Sequence, residues 1–183
     1  KANLRKVAME DYAFAKHRFD SLGFKDISSI GGGGDHAAMA SNSQYMANIS
    51  FAASMIYKLT GDAYYANEAA NAIRYTVSCQ RTEPLKDKDK LRGFFYRDQD
   101  KKSIVHYTHQ SRDQVYMQAL TMLCETQPNH ADYNKWKESI RLYGNYLKTI
   151  MQYVQPYGMV PSGVYQIDEV KDSVNFYKVQ VGI

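Results

Sequence analysis

Two stretches with an apolar period of three to four residues meet at the short turn Thr60-Gly61-Asp62. Glycine at position 61 suits the left-handed conformation that ends a helix, and the Asp62 carboxylate suits the position that opens the next one. Helices joined by so short a turn must run antiparallel. The sequence therefore predicts a helical hairpin, with one helix over 43–59 and the next over 63–78.

Three further segments repeat the helical period. They run from Asn3 to about Phe19 with a stop at Gly23, from a cap at Ser111 to about Gln127, and from Asp132 to about Tyr153. The tail from Pro156 is rich in Gly and Pro and is predicted to be a loop, while 173–181 gives no clear pattern. The fold prediction is an all-α domain of antiparallel helical hairpins over 1–183.

Composition narrows the functional classes. The 183 residues are 44% apolar and 23% charged, which is enough to build one packed core. The net charge of +4 is spread along the chain without a basic stripe, so nucleic acid is not an expected partner. No apolar run approaches the roughly 20 residues of a membrane span. Cys79 and Cys124 lie in apolar stretches and are predicted to be buried free thiols, with a disulfide between them as the alternative.

The segment 80–110 is long, polar and rich in aromatic residues. Connections of this length inside a compact domain are usually functional or disordered, and the aromatic content favours a function. A short hairpin inside it is predicted, with 94–96 and 104–107 as its arms. This segment is therefore the predicted location of a functional site.

Several motifs carry a resemblance to a known family. The hairpin turn 57–62 with Tyr64-Tyr65 after it resembles that of six-hairpin glycosidases, and the stretches 92–98 and 106–114 are similar to uncharacterised members from carbohydrate-degrading bacteria. The resemblance implies that the hairpins are part of an (α/α)6 toroid, that the partner is a carbohydrate, and that the protein is periplasmic or extracellular. A complete toroid needs more hairpins than this chain shows, so the chain is expected to be a fragment, with a reduced helical-hairpin domain as the alternative.

Glycoside hydrolysis, which the resemblance implies, generally requires two carboxyl groups. Asp113 is the first candidate, because it opens a helix whose dipole keeps a carboxylate ionised, as a base or nucleophile must be. Asp98, in the long segment, and Asp35, after four consecutive glycines, are candidates for the second. Two of these candidates have a simpler alternative role, Asp113 at the helix start and Asp35 in a turn.

Aromatic and polar side chains near these carboxylates are predicted to bind the sugar, because aromatic faces stack on pyranose rings and polar groups bond to hydroxyls. For Phe95 the alternative is that it anchors the loop on the helices. His106 and His109 lack a third ligand at metal-binding spacing, so no metal and no cofactor are expected. The predicted binding residues are His36, Phe95, Tyr96, Arg97, His106, Tyr107, His109 and Arg112.

Three functions remain open on this reading. The first is a glycoside hydrolase with Asp113 as base or nucleophile. The second is a polysaccharide lyase, in which His106, Tyr107 or His109 removes a proton next to a uronate carboxylate and Arg112 neutralises that carboxylate. The third is a helical scaffold that binds sugar without turning it over.

Overall fold

The computed structural model describes residues 2–24, 41–86, 90–102, 104, 114–152, 155–158, 163–166 and 177–180. Within these ranges the chain forms five α-helices and one two-stranded antiparallel sheet. The helices confirm the all-α prediction for the body of the chain. They are α1 (Ala2–Leu22), α2 (Asn42–Thr60), α3 (Ala63–Ser78), α4 (Gln114–Thr126) and α5 (Tyr133–Met151), and the strands are β1 (Gly163–Gln166) and β2 (Tyr177–Gln180).

The hairpin of α2 and α3 forms as the turn sequence predicts. Gly61 adopts a left-handed φ of +73°, and its N–H donates to the carbonyl of Tyr57 at 2.7 Å. Oδ1 of Asp62 then accepts the N–H of Tyr64 at 2.9 Å. One residue thus ends a helix and the next begins another, which satisfies backbone groups that both helix ends would otherwise leave unpaired.

Helix α2 is the centre of the bundle, because it contacts α1, α3 and α4. Its contact with α3 is close, since small residues such as Ala47 and Ala69 are fully buried there. Ser50 Oγ donates to the carbonyl of Ala69 at 2.9 Å across this contact. Helix α5 packs on α4 and buries Trp136, whose ring stacks on His130 with a centroid separation of 4.7 Å.

Some predicted boundaries differ from the observed ones. Helix α1 extends to Leu22, three residues further than predicted, and Gly23 ends it with a φ of +59°. Helix α5 ends at Met151 rather than near Tyr153. The predicted cap Ser111 lies outside the described residues. None of the described helices is long and apolar enough to cross a membrane.

The prediction of a loop-like tail was wrong over β1, and β2 lies in the segment 173–181, for which the sequence gave no clear pattern. These strands pair antiparallel, with Gly163 opposite Gln180 and Gln166 opposite Tyr177. The valines and tyrosines of both segments are good strand formers. The strands form only when two segments that are separated in the sequence pair with each other. The nearby glycines and prolines instead favoured the prediction of a loop.

Asp132 links α3 to the start of α5. Its Oδ1 accepts Lys135 Nζ at 2.7 Å and its Oδ2 accepts Arg74 Nε at 3.1 Å, while its own N–H donates to His130 Nδ1 at 3.0 Å. The hydrogen bonds from Lys135 and then Arg74 hold the pKa of Asp132 below its usual value. The carboxylate therefore favours the folded state when it is ionised.

Replacing Asp132 by asparagine is expected to lower the free energy of unfolding at neutral pH by about 1 kcal/mol, since both cations are largely exposed. The lowered pKa makes this stabilisation complete above the unfolded-state pKa of about 4, and it is lost as pH falls through the folded-state pKa. Urea unfolding of both proteins at several pH values checks this. A difference that stays constant down to strongly acidic pH would contradict it.

Candidate functional site

The two short turns between helices mark one end of the helical bundle, and the described part of a long connection lies at the other end. The short turns are 61–62 and 127–132, so α2 and α4 begin, and α3 and α5 finish, at the other end. The described part of the connection between α3 and α4, over 79–86, 90–102 and 104, lies here as well. We call this region the loop end.

The backbone of 91–97 is hydrogen-bonded to the ends of the helices. The N–H of Tyr96 donates to the carbonyl of Cys79 at 2.9 Å, and the N–H of Ser43 donates to the carbonyl of Arg97 at 2.9 Å. Tyr96 also forms an antiparallel bridge with Ile104. This bridge confirms the predicted hairpin at one pair of residues, and 105–107 of its second arm lie outside the described residues.

A buried polar layer fixes this segment to three helices. Ser43 Oγ donates to the carbonyl of Tyr96 at 2.7 Å and lies 2.7 Å from the hydroxyl of Tyr116. Ser41 Oγ lies 2.9 Å from Ser43 Oγ, and Thr76 Oγ1 donates to the carbonyl of Ser43 at 2.8 Å. Because α2, α3 and α4 all contribute, the layer sets how their ends meet.

Gln80 makes a second buried connection, toward α5. Its Nε2 donates to the carbonyls of Gly93 at 2.9 Å and Ser139 at 3.0 Å, and its Oε1 accepts the Ser139 hydroxyl at 2.6 Å. Only 2% of Gln80 is exposed, so every polar atom of its amide has a partner inside the protein. No sequence signal distinguished this glutamine from an ordinary loop residue.

Phe95 and Tyr96 lie in the core, with 2% and 5% of their surface exposed. The ring of Phe95 stacks on Tyr116 at a centroid distance of 4.2 Å, and Tyr96 meets Phe94 edge to face at 5.3 Å. Burial also raises the pKa of Tyr96 above its usual value. In this structure neither ring offers a face to a sugar, and both anchor the segment on the helices, which is the alternative that the sequence left open for Phe95.

Arg97 and Asp98 follow these anchors and are half-buried. Oδ1 of Asp98 accepts the N–H of Asp100 at 3.0 Å, which closes a turn of the kind that aspartate side chains favour. The carbonyl of Arg97 is held by Ser43, and the side chain of Gln99 donates to Ser78 Oγ at 2.8 Å. Asp98 is thus a carboxylate at the loop end whose backbone position is well fixed.

Tyr75 is a polar group at the loop end that sequence reasoning missed as a site residue. It is half-buried in the last turn of α3 and is hydrogen-bonded to the side chain of Asn42. Burial is the main reason that the pKa of Tyr75 is raised, and the charge of Asp98 acts in the same direction. The Tyr75 hydroxyl is therefore protonated at neutral pH. The only signal in the sequence was its place one turn before the end of a helix.

The other predicted site residues lie outside the described residues. Among the residues that are described, no group of three His, Cys, Asp or Glu side chains is placed to hold a metal ion. The predicted residues that fall outside are Asp35, His36, His106, Tyr107, His109, Arg112 and Asp113.

Both cysteines are free thiols, as predicted, but the predicted burial is confirmed only for Cys79. Cys79 is fully buried at the end of α3, and burial raises its pKa to about 12. Burial also raises the pKa of Cys124, which is half-buried in α4. A nucleophilic cysteine must be a thiolate, so neither residue is suited to that chemistry.

No protein-family model, no curated protein and no solved structure matches this chain. The resemblance to six-hairpin glycosidases therefore depends on the sequence motifs at 57–62, 92–98 and 106–114. The chemistry of the loop end is the independent source of information on function.

Proposed function

We propose that this protein is a glycoside hydrolase that binds an oligosaccharide or polysaccharide at the loop end. The observation that carries the proposal is the position of Ser43. Its N–H holds the carbonyl of Arg97, directly before Asp98, and its Oγ contacts Tyr116 in the first turn of α4. Asp113 immediately precedes α4 in the sequence. One buried serine thus connects the backbone of Asp98 to the helix that follows Asp113.

The two carboxyl groups have different proposed roles. Asp113 acts as base or nucleophile, since a helix N-terminus stabilises the ionised form of a carboxyl group. Asp98 is the proposed acid that protonates the leaving oxygen, and Asp35 is the alternative for this role. The protonated hydroxyl of Tyr75 supplies a hydrogen-bond donor for the sugar at the same end of the bundle.

The remaining polar residues are proposed to orient the substrate. Arg97 is half-buried beside Asp98 and is suited to binding a sugar hydroxyl or a uronate carboxylate. The sequence adds further donors and one aromatic ring for stacking. These proposed binding residues are His36, His106, Tyr107, His109 and Arg112.

The hairpin architecture supports the fold part of the proposal. The pair α2–α3 is antiparallel, α4 packs on α2, and α5 packs on α4, as in successive hairpins of a helical repeat. We propose that they are consecutive hairpins of an (α/α)6 toroid, and that the protein acts in the periplasm or outside the cell. The support for the toroid is this packing together with the motif resemblance, and the support for the location is the resemblance alone.

A polysaccharide lyase is the second candidate, because Tyr75 and Asn42 form a hydrogen-bonded pair of the residue types that lyases use as base and neutraliser. A tyrosine base must lose its proton, and the raised pKa of Tyr75 opposes this. The raised pKa therefore argues against Tyr75 as the base of a lyase, and the hydrolase stays the first candidate.

Incubation of the purified chain with a panel of neutral and uronate-containing oligosaccharides tests the proposal. Reducing ends and ultraviolet absorbance are read from the same samples. The hydrolase is expected to release reducing ends without a gain in absorbance. A gain in absorbance signals the unsaturated uronate of a lyase reaction and would replace the proposal by its alternative. Calorimetric binding without either signal would instead indicate a sugar-binding scaffold.

A further inference from the structure

Helix α1 has an apolar surface that lies apart from its contact with the bundle. Toward the bundle, the ring of Tyr12 meets Tyr65 at 5.5 Å and the ring of Phe19 meets Tyr45 at 5.1 Å. The largest exposed apolar residues of the helix lie on another face. They are Leu4, Val7, Phe14 and Leu22, with exposed fractions of 76%, 50%, 65% and 47%.

These residues belong to a continuous band along α1. At 3.6 residues per turn, the band covers about 120° of the circumference of the helix. We call it the α1 stripe, and all of its members are exposed. The α1 stripe consists of Leu4, Val7, Ala8, Asp11, Phe14, Ala15, Arg18 and Leu22.

Two charged residues of opposite sign lie within the α1 stripe. Asp11 and Arg18 are seven residues apart, which is slightly less than two helical turns, and the midpoint between them falls between Phe14 and Ala15. The Arg18 guanidinium lies over the Phe14 ring, with its carbon 6.0 Å from the ring centroid. The charges are thus arranged symmetrically about a point in the middle of the apolar surface.

We propose that the α1 stripe binds the α1 stripe of a second copy of this chain, with the two helices antiparallel. A two-fold axis between Phe14 and Ala15 places Asp11 of each copy opposite Arg18 of the other, so the ion pair forms twice. In a two-fold interface each contact recurs with the copies exchanged. The same axis places the large Phe14 opposite the small Ala15, and Val7 opposite Leu22.

The charges select this arrangement over others. A parallel pair of helices in register would place Asp11 opposite Asp11 and Arg18 opposite Arg18, which is repulsive. An antiparallel pair shifted by one turn would place Asp11 opposite an apolar residue. Charge pairs across an interface contribute mainly to orientation and register. A standard interface buries at least about 1,200 Å² of accessible surface in total, and a contact through one helix face buries less. The dimer is therefore expected to be weak and concentration-dependent.

Sedimentation velocity over a range of protein concentrations tests the proposal. The unmodified chain is expected to show a reversible monomer–dimer equilibrium. Asp11→Arg and Arg18→Asp, each measured alone, are expected to weaken dimerisation by about tenfold or more, because each variant faces two like-charge contacts. An equimolar mixture of the two variants is expected to regain the dimer. One variant then has arginine at positions 11 and 18, the other has aspartate at both, and the opposite charges attract.

The matched control is Glu10→Arg, which makes the same change of charge at an exposed position next to the α1 stripe and is expected to leave dimerisation unchanged. Circular dichroism verifies that each variant is folded. Three results would overturn the proposal: a monomer at every concentration of the unmodified chain, a dimer insensitive to both variants, or a mixture that dimerises no better than its components.

Discussion

Replacing Gly93 by alanine is expected to destabilise the protein by about 3 kcal/mol, the combined scale of backbone strain and overpacking. Gly93 has a φ of +98°, a conformation that side chains rarely adopt. A Cβ built at this position would lie 2.2 Å from the carbonyl oxygen of Leu142 and 2.8 Å from its carbonyl carbon. Those atoms belong to the backbone of α5, so they cannot move aside without shifting the helix. Urea unfolding measures the change.

Gly144→Ala is the matched control, because it makes the same substitution two residues beyond Leu142 in α5. A Cβ at Gly144 would meet no atom within 4 Å, and the helix interior favours alanine over glycine by about 1 kcal/mol. This variant is therefore expected to stabilise the protein slightly. Equal effects of the two substitutions would contradict the close approach of the long segment to α5.

Replacing Asp98 or Asp113 by asparagine is expected to lower kcat on a substrate identified with the oligosaccharide panel by about 100- to 10,000-fold, the usual contribution of general acid–base groups. The asparagine at position 98 retains the Oδ1 atom that accepts the N–H of Asp100. The turn therefore remains, while the ability to exchange a proton is lost. Initial rates of reducing-end release measure the effect.

Asp100→Asn is the control for this experiment, since Asp100 is an exposed carboxylate in the same turn. It is expected to leave kcat within about twofold of the unmodified value, as most surface substitutions away from a site have small effects. Full activity of the Asp98 variant would remove Asp98 from the mechanism and transfer the role of acid to Asp35. The variant Asp35→Asn then becomes the decisive measurement.

The α2–α3 hairpin could be predicted from the sequence because its signals are local. Gly61 and Asp62 determine where one helix ends and the next begins, and their partners lie within four residues. The predicted range 63–78 for α3 agrees with the observed Ala63–Ser78. Helix ends without such a cap, as at the C-terminus of α5, were less accurately predicted.

The loop end could be predicted only in part, because its contacts join residues far apart in the sequence. Ser43 contacts Tyr116, and Gln80 bonds to Ser139, across three or more helix lengths of chain. No local pattern reveals such partners. For the same reason the sequence is equally consistent with two roles for an aromatic loop residue such as Phe95, stacking on a sugar or packing in the core. Its contact with Tyr116 shows that it packs in the core.

The segment 94–100 separates residues that hold it in place from residues that face outward. Phe94, Phe95 and Tyr96 are buried, while the residues from Arg97 to Asp100 are half-buried or exposed. Substitutions in the outer half leave the aromatic anchors untouched, so they cost little folding free energy. If the proposed site is the binding site, ligand preference can therefore change during evolution at these four consecutive residues, without a prior gain of stability elsewhere.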